Sequence, residues 1–406
     1  MQQIQQPFTG LKVLAVARVF AAPFAAYQLA LHGAEVITVE DPVKGDSTRT
    51  AGGAHSKKLT EAKMGAGYLA HASNKKSLTL NLKEPRAQAI FKQMVKDTDV
   101  LIENLRTGDM DRFGLGHEAM QAINPRLISC SLTGYGQTGP KRRDAAIDVV
   151  VQAASGMMSV TGSPESGPMK VGPTVVDYAS GFSLALAITT ALYQRERTGE
   201  GQRIDVSMLE TALISMSAMV SDVQNAGLET QLNGNRTSAN TPISNSLMCS
   251  DTHIVVAAGS DLRRRRFLKG IGRLDMLDEP RFATQDLMRD NADAMYEEIE
   301  KTLKNKTAQE WEDILNAAGV PCMRVYKIKE IVEHPQIKER KLYHIFDHVP
   351  GVDKPVTVPL APYKLSKGPA IAHSVPARLG QHTDEILKGL GFGDTELQEM
   401  RQAGII

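Results

Sequence analysis

The feature that most constrains the fold is an alternation of short apolar runs with helix-length amphipathic segments. The apolar run LKVLAVARV is followed by a helical segment over residues 23 to 32 and by a second apolar run, EVITVE. The alternation continues through the runs SLTLNL, VLIEN and LISCSL. Strands that alternate with helices build a parallel sheet covered by helices on both faces. We therefore predict an α/β fold with a Rossmann-like, doubly wound parallel sheet.

The turn after the first apolar run argues against one common ligand of such sheets. Dinucleotide-binding domains place G-x-G-x-x-G at this turn, where glycines let the backbone approach the pyrophosphate. The sequence here reads RVFAAPFA, without a glycine. The predicted fold therefore does not imply binding of NAD.

A change of composition marks the predicted domain boundaries. We assign residues 1–224 to the first part of a large domain and the polar stretch 225–245, rich in Asn, Gly and Thr, to a linker. Residues 246–330 are predicted to form a small α+β domain, and residues 331–406 begin as a return linker.

Charge and cysteine content exclude several classes of protein. There are 47 basic and 46 acidic side chains, so no overall field favours nucleic acid or an anionic membrane surface. Three cysteines without paired spacing argue against a disulfide framework and against a structural zinc site. The start of the chain lacks signal-peptide features, and the apolar stretch at 178–194 reads as a buried helix rather than a membrane span. A cytoplasmic location, with no membrane and no nucleic-acid partner, is the expectation.

Asp177, in the sequence VVDYASGF, is the first candidate for chemistry. We predict that the preceding PTVV is a strand, so that the carboxylate lies at its carboxyl end, where α/β sheets bind ligands. The small residues Ser180 and Gly181 would leave room for that ligand. An ordinary helix N-cap is the competing interpretation, because a carboxylate at that position accepts backbone hydrogen bonds.

Two further features leave alternatives open. The glycine-rich GYGQTGP at 134–140 is either a surface turn or a mobile cover, and the basic cluster Lys141 to Arg143 is either a solvated face or a phosphate-steering group. The run Arg263 to Arg266 reads mostly as surface. His344 and His348 lack a third ligand nearby, so no metal site is predicted.

Taken together, these segments resemble the class III coenzyme A transferases, also called the CaiB/BaiF family, which includes formyl-CoA transferase and carnitine CoA-transferase-like proteins. The resemblance covers nearly the whole chain. It rests on the order and spacing of the following landmarks: LKVL with RVFAAPFAAYQLALHGAEVITVE, GDSTR, NKKSLTLNLK, VLIENLRTGDMDRFGLG, NPRLISCSLTGYGQTGP, DVVVQAASGMMSVTG, VDYASGF, RTGEGQRIDVSMLETAL, GVPC and GQHTDEILKGLGF.

The resemblance implies that Asp177 is a nucleophile and that coenzyme A is a substrate rather than a permanently bound cofactor. It also implies an interlocked, ring-like homodimer whose large domain takes in residues 331–406. The residues implied to contact coenzyme A are Phe20, Ala21, Leu80, Asn81, Leu82, Lys83, Asn104, Leu105, Arg106 and Arg112. Phe20, Asp41 and Ala145 depart from formyl-CoA transferase, so local contacts must differ, with Lys141 or Arg143 as substitutes.

Two reactions and one binding role compete for this family likeness. The first is transfer of coenzyme A from an acyl-CoA, with succinyl-CoA preferred, to a carboxylic acid, preferably a dicarboxylate, through aspartyl anhydride and aspartyl-CoA thioester intermediates. Arg18, Arg49 or one residue of Arg263 to Arg266 would hold the distal carboxylate. The second is α-methylacyl-CoA racemisation, disfavoured because Ile147 stands where the racemases have a histidine. The third, non-catalytic binding of coenzyme A, would not need Asp177.

Overall fold

The computed structural model describes residues 6–52, 57–236 and 243–406. Its strands, in chain order, are β1 (Lys12–Val16), β2 (Glu35–Glu40), β3 (Lys75–Thr79), β4 (Val100–Glu103), β5 (Ile128–Thr133), β6 (Gly162–Ser163), β7 (Gly167–Pro168), β8 (Arg203–Ser207), β9 (Asn245–Met248), β10 (His253–Val256), β11 (Cys322–Arg324), β12 (Tyr343–Phe346) and β13 (Val356–Pro359).

The helices, again in chain order, are α1 (Ala21–Leu31), α2 (Lys57–Glu61), α3 (Ala66–Leu69), α4 (Pro85–Val95), α5 (Asp109–Arg112), α6 (His117–Ile123), α7 (Asp148–Ala154), α8 (Val175–Thr198), α9 (Met208–Ser215), α10 (Ser217–Ala226), α11 (Asp261–Gly270), α12 (Gln285–Asp290), α13 (Ala292–Leu303), α14 (Ala308–Ala317), α15 (Ile328–Ile331), α16 (Pro335–Glu339), α17 (Thr383–Gly389) and α18 (Asp394–Gln402).

A six-stranded parallel sheet forms the main framework, with strand order β3-β2-β1-β4-β5-β8. Val13 of β1 lies opposite Val36 of β2 on one side and opposite Val100 of β4 on the other. The chain builds outward from β1 to β3, and then outward from β4 on the opposite side. This order confirms the predicted parallel α/β sheet, and the direction of winding reverses between β1 and β4.

Each face of the sheet is covered by its own apolar core. One core joins the sheet to α1, α8 and α9, and every residue of α1 is buried. The other core joins the sheet to α4 and α6 and to residues of α17 and α18. A sheet buried on both faces needs apolar side chains in both directions, which is why its strands read as continuous apolar runs.

The contacts within the chain define two compact units. The first unit takes in residues 1–157, 171–227 and 340–406, and the second takes in residues 158–170 and 228–339. The predicted division placed the segment 158–170 in the large domain and began the return at residue 331. The short segment 158–170 carries the β6–β7 hairpin, a tertiary assignment that local composition does not reveal.

The second unit is built on the antiparallel sheet β11-β10-β9, with its own apolar core. Helices α11, α13 and α14 contribute buried side chains to this core, among them Phe267, Ile299 and Trp311. The α14 helix begins with a capping box between Thr307 and Glu310, which satisfies backbone N–H groups at its first turn.

Helix α8 is long and apolar. By length and composition alone it could cross a membrane, as could the core helix of a soluble protein. In the structure it packs against α1, α9, β5 and β8. Its C-terminus has Gly199 in the left-handed conformation, a common way to end a helix.

Candidate active site

A cavity of about 470 Å³ opens at the carboxyl ends of β1, β4 and β5, within the first unit. It lies where the winding of the sheet reverses, which is the usual position for a ligand in open α/β sheets. Its walls come from the segments that follow these three strands, from the segment before α7, and from Asp177 of α8.

Asp177 lies at this cavity, but its local setting differs from the predicted one. The run PTVV is not a strand: Thr174 is the N-cap residue of α8, and Val175 and Val176 form the first turn of the helix. Asp177 is the third residue of α8 and is only 9% exposed. The prediction of a strand before Asp177 was therefore wrong, and so was the alternative that Asp177 is the N-cap.

The first turn of α8 explains this difference, because all four of its N–H groups already have acceptors. The Val175 N–H donates to the Pro173 carbonyl at 2.9 Å, and the Tyr178 N–H donates to the Thr174 carbonyl at 3.3 Å. The Val176 and Asp177 N–H groups both donate to Oδ2 of Asp148, at 2.8 and 3.1 Å. Asp148 therefore caps the helix that carries Asp177.

Asp148 is itself held by a second polar side chain. Its Oδ1 accepts a 2.6 Å hydrogen bond from Nε2 of Gln152, one turn along α7. Oε1 of Gln152 in turn accepts the Val171 N–H at 2.8 Å. Asp148 and Gln152 are both buried, so the carboxylate is fixed in position.

The Asp177 carboxylate accepts no hydrogen bond from the described residues. Burial, together with the nearby negative charge of Asp148, raises its pKa from 3.8 to about 7. A carboxylate that is desolvated, and close to another carboxylate, is a stronger base and a stronger nucleophile than one in water. The environment of the Asp177 carboxylate therefore favours a catalytic role over a structural role as a helix cap.

Ser180 and Gly181 do not provide space for a ligand, contrary to the prediction. Ser180 is fully buried, and a Cβ on Gly181 would lie 2.7 Å from both the Ala21 carbonyl oxygen and the Phe24 ring. Glycine is therefore required by the close approach of α1 to α8. Both residues lie inside α8, where their N–H groups belong to the helical hydrogen-bond pattern and are not available as oxyanion donors.

The turn after β1 forms a strained wall of the cavity. Val19 has φ 67, a left-handed conformation that a β-branched residue rarely adopts. Oδ2 of Asp46 accepts the Val19 N–H at 2.9 Å, while the Asn104 side chain bonds both the N–H and the carbonyl of Arg18. The Asn104 amide therefore fixes this turn, and Phe20 follows from it directly into α1.

Cations are concentrated on the same cavity. It is lined by Arg18, Arg106, Arg142 and Arg143, and none of the four forms a salt bridge with a described carboxylate. Lys141 is not part of the lining and pairs with Asp144 at 3.1 Å. Four unpaired guanidinium groups make the cavity suitable for phosphate or carboxylate groups.

Two of the cation candidates predicted to hold the distal carboxylate of the substrate do not lie at this cavity. Arg49 is fully buried and forms two 2.7 Å hydrogen bonds with Glu40, so it is already paired and cannot reach a substrate. The run Arg263 to Arg266 lies on α11 of the second unit, where Arg264 and Arg265 pair with Asp261. Of the candidates named from the sequence, Arg18 alone lines the cavity.

The residues predicted to contact coenzyme A fall into two groups. Those on the cavity wall are Phe20, Ala21, Asn104, Leu105 and Arg106. The others lie outside it: Leu80 and Leu82 are buried in the apolar core, Asn81 donates its N–H to Ile405, Lys83 is exposed, and Arg112 pairs with Asp109.

The loop 134–140 also belongs to this wall. Gly134 and Tyr135 line the cavity, and the Gln137 N–H donates to the Asp205 carboxylate at 3.0 Å. A Cβ on Gly134 would lie 2.1 Å from the Ala146 side chain, so glycine permits the loop to pass close to the segment before α7.

The arrangement also bears on the racemase alternative. Ile147 lines the cavity beside Asp148 and is 64% exposed. No histidine is among the described residues of the lining, so a second base of that type is missing beside Asp177. His71, a member of the aromatic cluster around Tyr178, is buried, and desolvation lowers its pKa to about 3.

Sequence reasoning did not identify the capping role of Asp148 or the part played by Gln152. The two hydrogen bonds of Asp148 join residues 28 and 29 positions apart, and only the folded chain brings them together. An aspartate four residues before a glutamine was visible, but this pair is common on helices and does not predict a partner elsewhere.

Comparison with known proteins agrees with these features. The sequence model of the family described as CoA-transferase family III matches residues 8–383 of this chain. Succinyl-CoA:glutarate CoA-transferase of Homo sapiens is 32% identical over 99% of this chain and 90% of that protein. Acetyl-CoA:oxalate CoA-transferase of Acetobacter aceti is 36% identical over 83% of this chain and 85% of that protein.

A solved structure supports the same relationship. A CaiB/BaiF family protein from Brucella suis superimposes with a TM-score of 0.84 and 29% sequence identity, over 95% of this chain and all of that chain. The sheet, the sequence landmarks and the matched length agree with one another. The chain therefore belongs to family III of the CoA-transferases and is a transferase of coenzyme A.

Proposed function

We propose that this enzyme transfers coenzyme A from an acyl-CoA to a free carboxylic acid through covalent intermediates on Asp177. The observation that carries the proposal is the desolvated Asp177 carboxylate, which accepts no hydrogen bond from the described part of the chain and lies in a cavity lined by four arginines. A carboxylate in this state attacks a thioester carbonyl, while the cations suit the phosphates and carboxylates of the substrates.

The reaction proceeds by exchange of two nucleophiles at carbonyl carbons. A carboxylate oxygen of Asp177 attacks the donor thioester, the C–S bond breaks, and an acyl-aspartyl anhydride and a CoA thiolate form. The thiolate attacks the aspartyl carbonyl, which releases the donor acid and leaves an aspartyl-CoA thioester. The acceptor carboxylate then displaces the thiolate to form a new anhydride, and the thiolate attacks the acceptor carbonyl, which regenerates Asp177.

Coenzyme A is proposed to lie across the carboxyl edge of the sheet. Phe20 and Ala21 would contact the adenosine part, and Asn104 to Arg106 the nucleotide. The outer residues, Leu80 to Lys83 and Arg112, would extend this path beyond the cavity. Because Leu80 and Leu82 have buried side chains, any contact from them would come from the backbone.

The preferred substrates are succinyl-CoA as donor and a dicarboxylate as acceptor. One relative at 32% identity is named for succinyl-CoA and glutarate, and another at 36% for oxalate, both of which are dicarboxylates. Arg18 supports this choice, because it lines the Asp177 cavity without a salt-bridge partner among the described residues. Its guanidinium can hold the distal carboxylate with two parallel hydrogen bonds.

The test of the proposal is chemical trapping. Incubation with succinyl-CoA and then hydroxylamine should modify Asp177 alone, because anhydrides and thioesters react with this reagent where free carboxylates do not. Mass spectrometry of the peptide spanning residues 171–195 would locate the modification. Asp177→Asn is the matched variant: it should fold, give no modified peptide, and lose transfer by at least a thousandfold, on the order of 4 kcal/mol in the barrier.

The same experiment can reject the proposal. Full transfer by a folded Asp177→Asn protein, together with an unmodified peptide in the wild type, would return Asp177 to a structural role. A screen of glutarate, oxalate and monocarboxylates as acceptors, read by formation of their CoA esters, would then identify the acid. Equal rates with mono- and dicarboxylates would reject the role proposed for Arg18.

A further inference from the structure

The first turn of α8 carries the Asp177 carboxylate, but its backbone N–H groups do not bind that carboxylate. A carboxylate near the start of a helix is usually stabilised by free backbone N–H groups and by the positive end of the helix dipole. Here the N–H groups of Val176 and Asp177 are taken by Asp148, and those of Val175 and Tyr178 by carbonyl oxygens. Asp177 is therefore at a helix N-terminus without receiving the hydrogen bonds that such a position offers.

We propose that Asp148 is a positioning residue that keeps the Asp177 carboxylate reactive, by occupying the N–H groups that would otherwise bind and stabilise it and by placing its own negative charge beside it. This inference rests on the proposed function, since it concerns the reactivity of the same carboxylate. Asp148 does not itself touch the reacting carbonyl in this scheme.

The geometry explains how one carboxylate can do this. Oδ2 of Asp148 accepts both helix N–H groups, at 2.8 and 3.1 Å, while Gln152 holds Oδ1 at 2.6 Å. Gln152 is in turn fixed by the Val171 N–H at 2.8 Å. Each polar group in this hydrogen-bond network has a partner. Asp148 therefore cannot turn away from α8 without leaving buried polar groups unpaired.

The charge of Asp148 acts in the same direction as its hydrogen bonds. It neutralises part of the helix dipole and places a second negative charge near Asp177, whose pKa is raised to about 7 by burial and by Asp148. A neutral cap in place of Asp148 would remove the second effect while preserving the first.

Other charged groups on the cavity must be considered in any dependence on pH. The ionisable side chains that face it are Arg18, Arg106, Asp109, Tyr135, Arg142, Arg143 and Asp144, with Tyr178 beside Asp177 on α8. Asp144 is exposed and paired with Lys141. Asp148 is the group whose charge affects the pKa of Asp177, so its removal is the informative change.

The test compares the pH dependence of trapping in the wild type, Asp148→Asn and Asp148→Ser. Asn keeps the size of the Asp148 side chain and one acceptor oxygen, and Ser keeps a hydroxyl acceptor, while neither carries a charge. The rate of hydroxylamine-trappable adduct formation should rise with pH in the wild type, with a midpoint near pH 7. In both variants the midpoint should fall by roughly half a pH unit or more, because the like charge is gone. The rate at high pH should fall as well.

A control separates this effect from loss of helix capping in general. Thr307→Ala removes the capping box of α14, in the second unit, and should lower the melting temperature without moving the midpoint. Two neutral substitutions of Asp148 are tested, so that the comparison can still be made if only one of the two variants folds.

The two proposals fail in different ways. If the wild type gives no adduct on Asp177, the proposed function is rejected. If the wild type is trapped on Asp177 but the midpoints and the high-pH rates of the folded Asp148 variants coincide with it, Asp148 is only a structural cap and the present inference is rejected.

Discussion

At the scale of single residues, the burial of the Asp177 carboxylate has a cost in stability. A buried carboxylate without hydrogen bonds is destabilising, because ionisation in the folded state lacks the solvation that water gives in the unfolded state. The folded chain tolerates this because α8 and α1 are extensively packed around it. Active sites commonly retain such unfavourable arrangements.

The raised pKa of Asp177 leads to a prediction about stability. Since its pKa is higher in the folded state than the ordinary 3.8, the folded state binds this proton more tightly, and the resulting stabilisation is present below about pH 4 and lost as pH rises toward 7. Asp177→Asn removes this dependence. The free energy of unfolding of the variant minus that of the wild type should therefore be larger at pH 8 than at pH 5. We expect this increase to be roughly 1–2 kcal/mol, allowing for screening by water in the cavity.

Urea unfolding of both proteins at the two pH values would measure this difference. An identical stability difference at pH 5 and pH 8 would mean that the carboxylate is ionised normally in the folded protein. The activity loss of the same variant is measured separately, so the two effects of the substitution are not confused.

At the scale of helices and strands, the contact of α1 with α8 determines where Asp177 lies. Ala21, Ala22, Ala25 and Ala26 present a surface of small side chains on α1, and Gly181 lets α8 approach it. The Ala21 carbonyl would lie within 2.7 Å of any Cβ at position 181. A shift of this contact would move the first turn of α8, and Asp177 with it.

Gly181→Ala is therefore expected to destabilise the protein by about 1–3 kcal/mol, since the added methyl meets backbone that cannot move freely. It should also lower transfer activity. Gly389→Ala is the matched control, because Gly389 is an exposed helical residue of α17 with no atom within 4 Å of its Cβ position. That change should be neutral or slightly stabilising.

Denaturation curves of the two variants provide the measurement. Equal stability of Gly181→Ala and Gly389→Ala would show that α1 and α8 can separate without cost, and the close approach would not be important.

The same elements show how far sequence patterns could go. The strands of the parallel sheet are predicted correctly because a sheet buried on both faces requires apolar runs such as KVLAV and EVITVE. The short apolar run that ends in Val175 and Val176 predicts a strand, yet the cap from Asp148 begins a helix there. The helical region 208–226 consists of two helices rather than one, because the helix breaks at Met216 between α9 and α10.

The candidate site was predictable in its residue types but not in its geometry. Asp177 was identifiable as a carboxylate near the start of a helix. Its isolation from hydrogen bonds depends on Asp148, and the pairing of Arg49 depends on Glu40, which are contacts that no local pattern encodes. Arg49 looked like a free cation in the sequence for this reason.

At the scale of the whole molecule, the exposed apolar side chains of the first unit support a homodimer. Phe182, Leu186 and Tyr193 of α8 are 42%, 69% and 61% exposed, and Ile214 of α9 is 73% exposed. Apolar groups clustered on the exposed sides of two packed helices commonly mark a protein interface. We propose a homodimer on this basis, and the family resemblance implies that it is interlocked.

Size-exclusion chromatography with light scattering should therefore give a mass near twice 44.1 kDa. Leu186→Asp should reduce the yield of this species, because it places a charge in the proposed interface. A stable monomer with full transfer activity would contradict the homodimer.

The discontinuous first unit has a consequence for how the chain acquires its structure during synthesis. Residues 340–406 belong to this unit but emerge from the ribosome after all of the second unit. They supply partners for earlier groups: the Ala377 carbonyl accepts from Arg49 and Tyr68, and Thr383 accepts the Thr79 N–H. Until residues 340–406 have been translated, these groups lack the partners that this segment supplies. The second unit can fold first, and the catalytic half is completed last.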